Sequence, residues 1–367
     1  MNTALAASLL LGGCLLGLAL RTEGRRRRAP RLPAAAPVFH DITVLLPVRD
    51  EEENVEPCVS TLLDQTAEPF VRVVDDGSTD ATAELVGRRA QSEPLLTLIA
   101  AGPLAPGWRG KLHALWVGSR GVDTPWLLLT DADTRHHPEA LARSRAAAEA
   151  GGLDAVSLAG LQEAHGLGEN LLVPAVFAVL DAILGSWEAA ASGAGPAVAN
   201  GQFILLRREA WERAGGFPAI RAVPLDDVAM ARLLRETGSR TAFFRAPDLL
   251  RVHMYRGVRE AINGWRRNLG GLFVGQPCTV ARILTVLLAP PLVLAAEILT
   301  GQWLAAALLW AAGAAASALL RSGSGHAPAW GLLFPCDSLF LAGVIALSES
   351  DRRRGRLMSW KGREMKV

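Results

Sequence analysis

The sequence predicts an α/β protein with a largely parallel sheet, flanked at both ends by apolar, membrane-facing segments. Three observations carry that expectation. From residue 42 onward, short β-branched runs alternate with helical stretches, the pattern of a sheet covered on both faces. In Trp126-Leu-Leu-Leu-Thr-Asp-Ala-Asp-Thr134, the signature of a buried parallel strand runs directly into two carboxylates, Asp131 and Asp133. Finally, 50% of the 367 residues are hydrophobic, and they crowd the two ends while the middle is ordinarily charged.

The N-terminal run, residues 4–20, is almost uncharged and about the minimum length for a spanning helix. Its positive charges follow it, at Arg21 and Arg25 to Arg28, whereas a cleaved leader carries them before the apolar run. The positive-inside rule therefore predicts an anchor over 1–21 with its N-terminus outside, followed by a basic, Pro- and Ala-rich linker over 22–37 in the cytoplasm.

Within the middle region, residues 42–47 form a first strand, and the polar turn from Val48 leads to a helix ending near Asp64. A second strand (71–74) ends in Asp75-Asp-Gly-Ser-Thr-Asp80, where Thr79 or Asp80 is placed to cap a helix over 81–90. Strand 95–100, helix 111–120, strand 126–129 and helix 138–150 continue the alternation, which then weakens. Residues 154–158 and 203–206 look like strands with an apolar segment, 171–184, between them, and a helix follows Asp226-Asp227. This region is assigned to one domain, 38–275.

Three apolar runs lie beyond it, at 283–299, 303–320 and 330–347, within a C-terminal region of 276–350. Pro290-Pro291 interrupts the first, and Pro335 and Asp337 the third. If all three crossed, the basic tail, 351–367, would end outside, against the charge rule. Two full crossings are therefore expected, with the remaining run interfacial or re-entrant.

Net charge is +2, which gives no whole-chain argument for a nucleic-acid partner. The four cysteines are scattered without zinc or disulfide spacing.

Val44-Leu-Leu-Pro-Val-Arg-Asp-Glu51, Val73-Val-Asp-Asp-Gly-Ser-Thr-Asp80, Leu129-Thr-Asp-Ala-Asp133 and Leu225-Asp-Asp-Val228 together resemble, in order and spacing, the family-2 inverting glycosyltransferases. Gly107-Trp-Arg-Gly-Lys-Leu-His-Ala-Leu115, Ala199-Asn-Gly-Gln-Phe203, His253-Met-Tyr255 and Trp360-Lys-Gly-Arg363 resemble the membrane-anchored branch that glycosylates carotenoids, a pattern shared in large part by a hopanoid-associated branch. The resemblance implies a GT-A catalytic domain, a Rossmann-like, mostly parallel sheet. It also implies transfer of a hexose from a nucleotide sugar, with UDP-glucose the expected donor, to a lipophilic acceptor.

The resemblance sets Pro47, Val48, Arg49, Asp75 and Asp76 around the nucleoside and Lys111 on the diphosphate, where a cation at a helix N-terminus suits phosphate. Asp131 and Asp133 offer oxygen ligands to Mg²⁺ or Mn²⁺, with His253 a further candidate metal ligand. Asn200, Gly201 and Gln202 suit sugar hydroxyls. Asp227 takes the general-base role with Asp226 supporting it, and the helix N-terminus is expected to lower its pKa and keep it ionised. His136 and His137 read as loop or helix-start residues, and Trp265, Arg266 and Arg267 as membrane-edge side chains. Processive members carry Gln-x-x-Arg-Trp; here Gly264-Trp-Arg-Arg-Asn268 stands instead, which argues for single transfer. The rivals are a hopanoid, polyprenyl-phosphate or glycolipid transferase and, from another class, a non-catalytic scaffold retaining the fold.

Overall fold

The computed structural model describes residues 3–34, 39–185, 187–195, 197–223, 225–360 and 363–366. Residues 35–37 of the expected linker, and Lys361 and Gly362 of the terminal motif, lie outside them. The chain forms two compact units, one of Ala29–Leu161 and Ser186–His253, the other of Met1–Arg28, Gln162–Gly185 and Met254–Val367.

In the first unit, β1 (Ile42–Val48), α1 (Val55–Leu63), β2 (Phe70–Asp75), α2 (Thr82–Ala90), β3 (Leu96–Ala100), α3 (Gly110–Ser119) and β4 (Trp126–Leu129) follow one another as the alternating pattern predicts. Then come β5 (Thr134–His136), α4 (Ala140–Gly151) and β6 (Ala155–Ala159). After the excursion of 162–185 into the other unit, the chain adds β7 (Ile204–Arg207), α5 (Asp226–Glu236), β8 (Thr241–Arg245) and β9 (Leu250–Val252). The seven-stranded sheet has the order β3-β2-β1-β4-β7-β6-β8. It is parallel except for β7, which runs antiparallel between β4 and β6.

Successive strands build outward from β1 to β3, and β4 then returns to the other side of β1. That reversal opens a crevice beyond the carboxyl ends of β1 and β4, where open α/β sheets bind ligands. Because β7 is antiparallel, its first residue Ile204 pairs with Leu129 at the last position of β4. The Asn200–Phe203 stretch is thereby delivered to the same crevice. The β9–β5 pairing, Val252 opposite Thr134, brings His253 to Asp133, whose carbonyl accepts the His253 backbone N–H at 3.0 Å.

Strands β1 and β4 are apolar because both their faces are covered: Val44, Leu45, Leu46, Trp126 and Leu128 are fully buried. Leu45, Leu127 and Leu206 pack with Leu112, Leu115, Trp211, Phe217 and Leu234 into one core beneath the crevice. Each fully buried side chain of this kind contributes roughly 1.5–3 kcal/mol. The Trp126 ring lies against the guanidiniums of Arg145 and Arg207, 4.7 and 4.8 Å from its centroid.

The second unit is helical. It holds Thr3–Arg27, Gly166–Leu184, Val258–Leu272, Pro277–Leu299, Trp303–Gly323 and Cys336–Arg353, plus a short 3₁₀ turn and a terminal two-stranded ribbon. Gly12 of the first helix meets Ala312 so closely that a methyl group there would lie 2.8 Å from the Ala312 side chain. Pro290 and Pro291 sit inside the continuous helix Pro277–Leu299.

Among the described residues, four helices are long and apolar enough to span a membrane: Thr3–Arg27, Gly166–Ile183, Pro277–Leu299 and Trp303–Gly323. The second of these overlaps the apolar segment 171–184, which the sequence places within the catalytic domain. It clusters instead with the terminal helices. The strands on either side of it, β6 before and β7 after, are adjacent and directly paired, so the chain returns from this helix to the sheet it left. The expected run at 330–347 resolves into the 3₁₀ turn Pro328–Leu333 and the helix Cys336–Arg353, which is not among the four.

Trp265 and Arg266 depart from the membrane-edge expectation. Trp265 is buried, edge-on to Phe177 and Tyr255, and Arg266 pairs with Asp351. On the same face, Gly264 gives way to the Tyr255 ring. These residues tie helices together instead of meeting lipid.

Candidate active site

The loops after β1 and β2 are sewn to each other. Asp76 donates its backbone N–H to the Val48 carbonyl, and Arg49 Nη1 donates to the Asp76 carbonyl at 2.6 Å. The Asp50 and Glu51 amides donate to the hydroxyls of Ser78 and Thr82, and the Glu52 amide to Asp80 Oδ2. Asp50 reaches a positive φ of 50° and accepts the Thr79 amide at 2.7 Å. Pro47, Val48, Arg49, Asp75 and Asp76 are therefore gathered at one end of the sheet. Asp75 also accepts the Ser78 hydroxyl at 2.5 Å, so it closes its own turn.

Across the crevice, Asp131 and Asp133 follow β4. The Thr134 hydroxyl donates to the Asp131 carbonyl at 2.7 Å, and the Thr130 hydroxyl to the Gln202 carbonyl at 2.8 Å. Beneath them, His136 is buried on β5, with Nε2 3.2 Å from the Thr130 hydroxyl and its backbone N–H donating to Thr61. Burial, then the neighbouring Arg135, pulls its pKa down to about 3, so the ring is neutral. His136 is a strand residue supporting the acidic turn, not the loop residue its position in sequence suggested.

Lys111 occupies the second position of α3. Its ammonium lies 2.8 Å from Asp131 Oδ1 and 3.3 Å from Asp226 Oδ2, and 26% of the side chain is exposed. Burial works against its charge, but Asp131 and Asp226 outweigh it, so its pKa is raised and it stays protonated. The diphosphate-binding residue inferred from the sequence is thus paired with both acidic sites.

Asp133 is placed differently. Its Oδ1 is closed off from solvent and accepts no hydrogen bond. Burial first, then the charges of Asp131 and Glu51, raise its pKa to about 8. Glu51, in the polar turn after β1, thus acts on both acids of the motif. An orphaned carboxylate oxygen beside a second carboxylate fits a hard divalent cation that draws its remaining oxygen ligands from a phosphate group. Among the described residues, no group of three or more His, Cys, Asp or Glu side chains is gathered to hold a metal. His253 reaches the site through its backbone, and its ring does not complete such a cluster with Asp131 and Asp133.

Asp226 and Asp227 open α5. Asp227 Oδ1 accepts the Val228 N–H at 2.7 Å and Oδ2 accepts the Gly201 N–H at 3.2 Å. The expected lowering of its pKa by the helix terminus does not occur: burial, followed by the adjacent Asp226 charge, raises it to about 6. A carboxylate poised there is largely ionised at neutral pH yet more basic than an exposed one, the compromise that suits a general base.

The Asn200 and Gln202 side chains are turned on each other. Asn200 Nδ2 donates to Gln202 Oε1 at 2.8 Å, and the Gln202 N–H donates to Asn200 Oδ1 at 3.2 Å. Between them Gly201 faces the site, where an added methyl group would lie 3.1 Å from Lys111 Nζ and 3.7 Å from the Asp227 Cβ. Gly201→Ala is expected to leave the melting temperature nearly unchanged. Steady-state assay should show transfer lowered by about 10²-fold, the scale of an ångström-sized misplacement of reacting groups.

A switch-point crevice with two interlinked loops on one side and an acid pair, a lysine and a raised carboxylate on the other is the arrangement expected of a sugar-transferring enzyme of the GT-A class. The comparisons with known proteins agree. The model of Glycosyl transferase family group 2 matches residues 126–345, and that of Glycosyl transferase family 2 matches 43–175. The chain belongs to the family-2 glycosyltransferases.

It is similar to the 4,4'-diaponeurosporenoate glycosyltransferase of Staphylococcus haemolyticus (strain JCSC1435), 22% identical over 253 residues. That match covers 67% of this chain and 65% of the relative's length. The enzyme of the same description from Staphylococcus aureus (strain USA300) is 30% identical over 92 residues, 25% of this chain and 24% of that one. Among solved structures, a mannosyltransferase from Pyrobaculum calidifontis in complex with GDP-Man and Mn²⁺ superposes with a TM-score of 0.55. Its identity is 22%, and the match covers 95% of this chain and 98% of that one. This likeness shows the GT-A fold.

Proposed function

We propose that this protein is a membrane-anchored inverting glycosyltransferase that moves a single hexose from a nucleotide sugar, UDP-glucose first among candidates, to a carotenoid acceptor. The observation that carries the reading is the set of Asp131, Asp133, Lys111 and Asp227 around one crevice, with the Asp133 oxygen unsatisfied. The relatives named for 4,4'-diaponeurosporenoate supply the acceptor class, and the terminal apolar helices suit delivery of such a molecule from a bilayer.

In this reading the nucleoside lies between the 47–49 and 75–76 loops. Lys111 and the N-terminus of α3 face the diphosphate. Asp131 and Asp133 would hold Mg²⁺ or Mn²⁺, which when bound neutralises charge on the departing diphosphate. Asp227 accepts the proton of an acceptor hydroxyl as its oxygen attacks the anomeric carbon from the face opposite the leaving group. The backbone amides of Gly201 and Val228 hold both Asp227 oxygens in place for that step.

The test supplies purified protein with UDP-glucose and a carotenoid acid or alcohol in detergent. Expected is acceptor-dependent release of UDP together with a glycosylated carotenoid seen by mass spectrometry. Product on a hopanoid or polyprenyl phosphate instead would reassign the acceptor, and no release from any nucleotide sugar would favour a non-catalytic scaffold.

Orientation follows from the charges. With Gly166–Leu184 returning to its own side, three crossings remain. Arg25 to Arg28 and the basic tail then share the cytoplasmic side with the catalytic domain, in accord with the positive-inside rule. A cysteine introduced at Ser78 is expected to resist impermeant maleimide in intact cells and to react after lysis. Labelling in intact cells would reverse the orientation.

A further inference from the structure

We infer that Lys111 is a built-in counter-ion that guards the metal position and gives it up when the donor's diphosphate arrives; this rests on the metal-dependent reading above. The Lys111 ammonium bridges an acid of each pair, 2.8 Å from Asp131 Oδ1 and 3.3 Å from Asp226 Oδ2. Room for it exists because position 201 lacks a side chain: a Cβ there would stand 3.1 Å from Nζ. An ammonium 2.8 Å from Asp131 Oδ1 competes for that oxygen with any divalent cation held by Asp131 and Asp133. Two cations on one carboxylate in a partly desolvated crevice repel strongly. Asp133, with its bare Oδ1, is consequently ready for a metal while Asp131 is not.

A nucleoside diphosphate resolves the conflict. Its phosphate oxygens offer Lys111 charge-assisted partners at the N-terminus of α3, and the freed Asp131 joins Asp133. Metal and donor then strengthen each other's binding through the lysine, beyond any direct contact between them, and the coupling is reciprocal. The same exchange releases Asp226 from its ion pair as the donor binds, so the acids beside Asp227 are rearranged in the step that loads the sugar.

The experiment measures Mn²⁺ binding to the full-length protein in detergent, following the free-Mn²⁺ electron paramagnetic resonance signal with and without UDP. Wild type is expected to bind Mn²⁺ weakly alone and much more tightly with UDP. Lys111→Met should bind Mn²⁺ alone at least about tenfold more tightly than wild type, since one nearby positive charge is gone, and UDP should then add correspondingly less. Lys111→Arg retains the charge and should bind Mn²⁺ alone no better than wild type, which keeps the test informative should Lys111→Met fail to fold.

Equal Mn²⁺ affinity of wild type and Lys111→Met, with UDP enhancement unchanged, would overturn the exchange while leaving the metal site intact. Tighter Mn²⁺ binding by Lys111→Arg than by wild type would overturn it as well. Absence of Mn²⁺ binding by wild type even with UDP would remove the metal reading itself, and the exchange with it.

Discussion

Asp227→Asn is expected to lower transfer to a hydroxyl acceptor by about 10²–10⁴-fold, the usual contribution of a general base, while donor affinity stays close to that of wild type. The amide preserves the shape of the side chain but has no basic oxygen for the acceptor proton. It also keeps one acceptor for the two amides of Gly201 and Val228, so some local stability is lost, on the order of one hydrogen bond or about 1 kcal/mol. Melting temperature separates that loss from the catalytic one. The wild-type pH profile gives a second check. Asp227 works ionised, so activity should fall as pH drops through about 6, where burial and Asp226 have placed its pKa. The acid limb should vanish in the variant. A carboxylate acceptor changes both outcomes: it is ionised near pH 7 without help, so Asp227→Asn should then cost little and the acid limb should be shallow. The measurement is single-turnover transfer beside donor affinity by calorimetry. Loss of donor binding in this variant would show that Asp227 belongs to the donor site.

Asp133→Ala should act on the other half of the site. In the presence of Mn²⁺ its donor affinity is expected to fall at least about tenfold, a loss of about 1.4 kcal/mol or more, and to become indifferent to EDTA. Because Asp133 has its pKa raised to about 8, a metal must displace a proton near neutrality, and wild-type metal affinity should climb with pH up to that value. Stability should move the opposite way. The folded carboxyl holds its proton to a higher pH than the unfolded one, so metal-free wild type loses stability as pH rises from about 4 towards 8. Asp133→Ala removes that loss. A metal-free variant that melts no lower than wild type at pH 8, yet binds donor poorly, is the expected signature. A variant that melts lower and binds donor normally would make Asp133 a structural residue.

These assignments divide sharply into what local sequence reveals and what it hides. The runs at 42–47, 71–74 and 126–129 are legible because β-branched and large apolar residues give way abruptly to proline or polar residues, and the observed strands Ile42–Val48, Phe70–Asp75 and Trp126–Leu129 end within a residue of that change. The acids at the strand ends are legible for the same reason. Hidden from sequence is anything set by distant burial. The Asp227 carboxyl was expected to be lowered by its helix terminus, a local effect, but desolvation by the surrounding fold prevails. Asn200 and Gln202 suit sugar hydroxyls by residue type, and only the folded turn shows them hydrogen-bonded to each other. Trp265 looks amphipathic in its own helix, and only the packing of Phe177 and Tyr255 shows it enclosed. Lys111 carried no sequence sign that it would link Asp131 to Asp226, residues 95 positions apart in the chain.

The excursion between β6 and β7 bears on how this protein is handled at the bench. Removing the N-terminal anchor and everything after His253 would ordinarily yield a water-soluble catalytic fragment for crystallisation or assay. Here such a fragment still carries the apolar helix Gly166–Leu184, with Leu167 and Ile183 exposed, spliced between two paired strands in the interior of the sheet. It would need detergent as much as the full chain does. A soluble form that keeps the site would have to lose only the excursion of residues 162–185 and leave the Asn200–Phe203 stretch, with its amide on Asp227, in place.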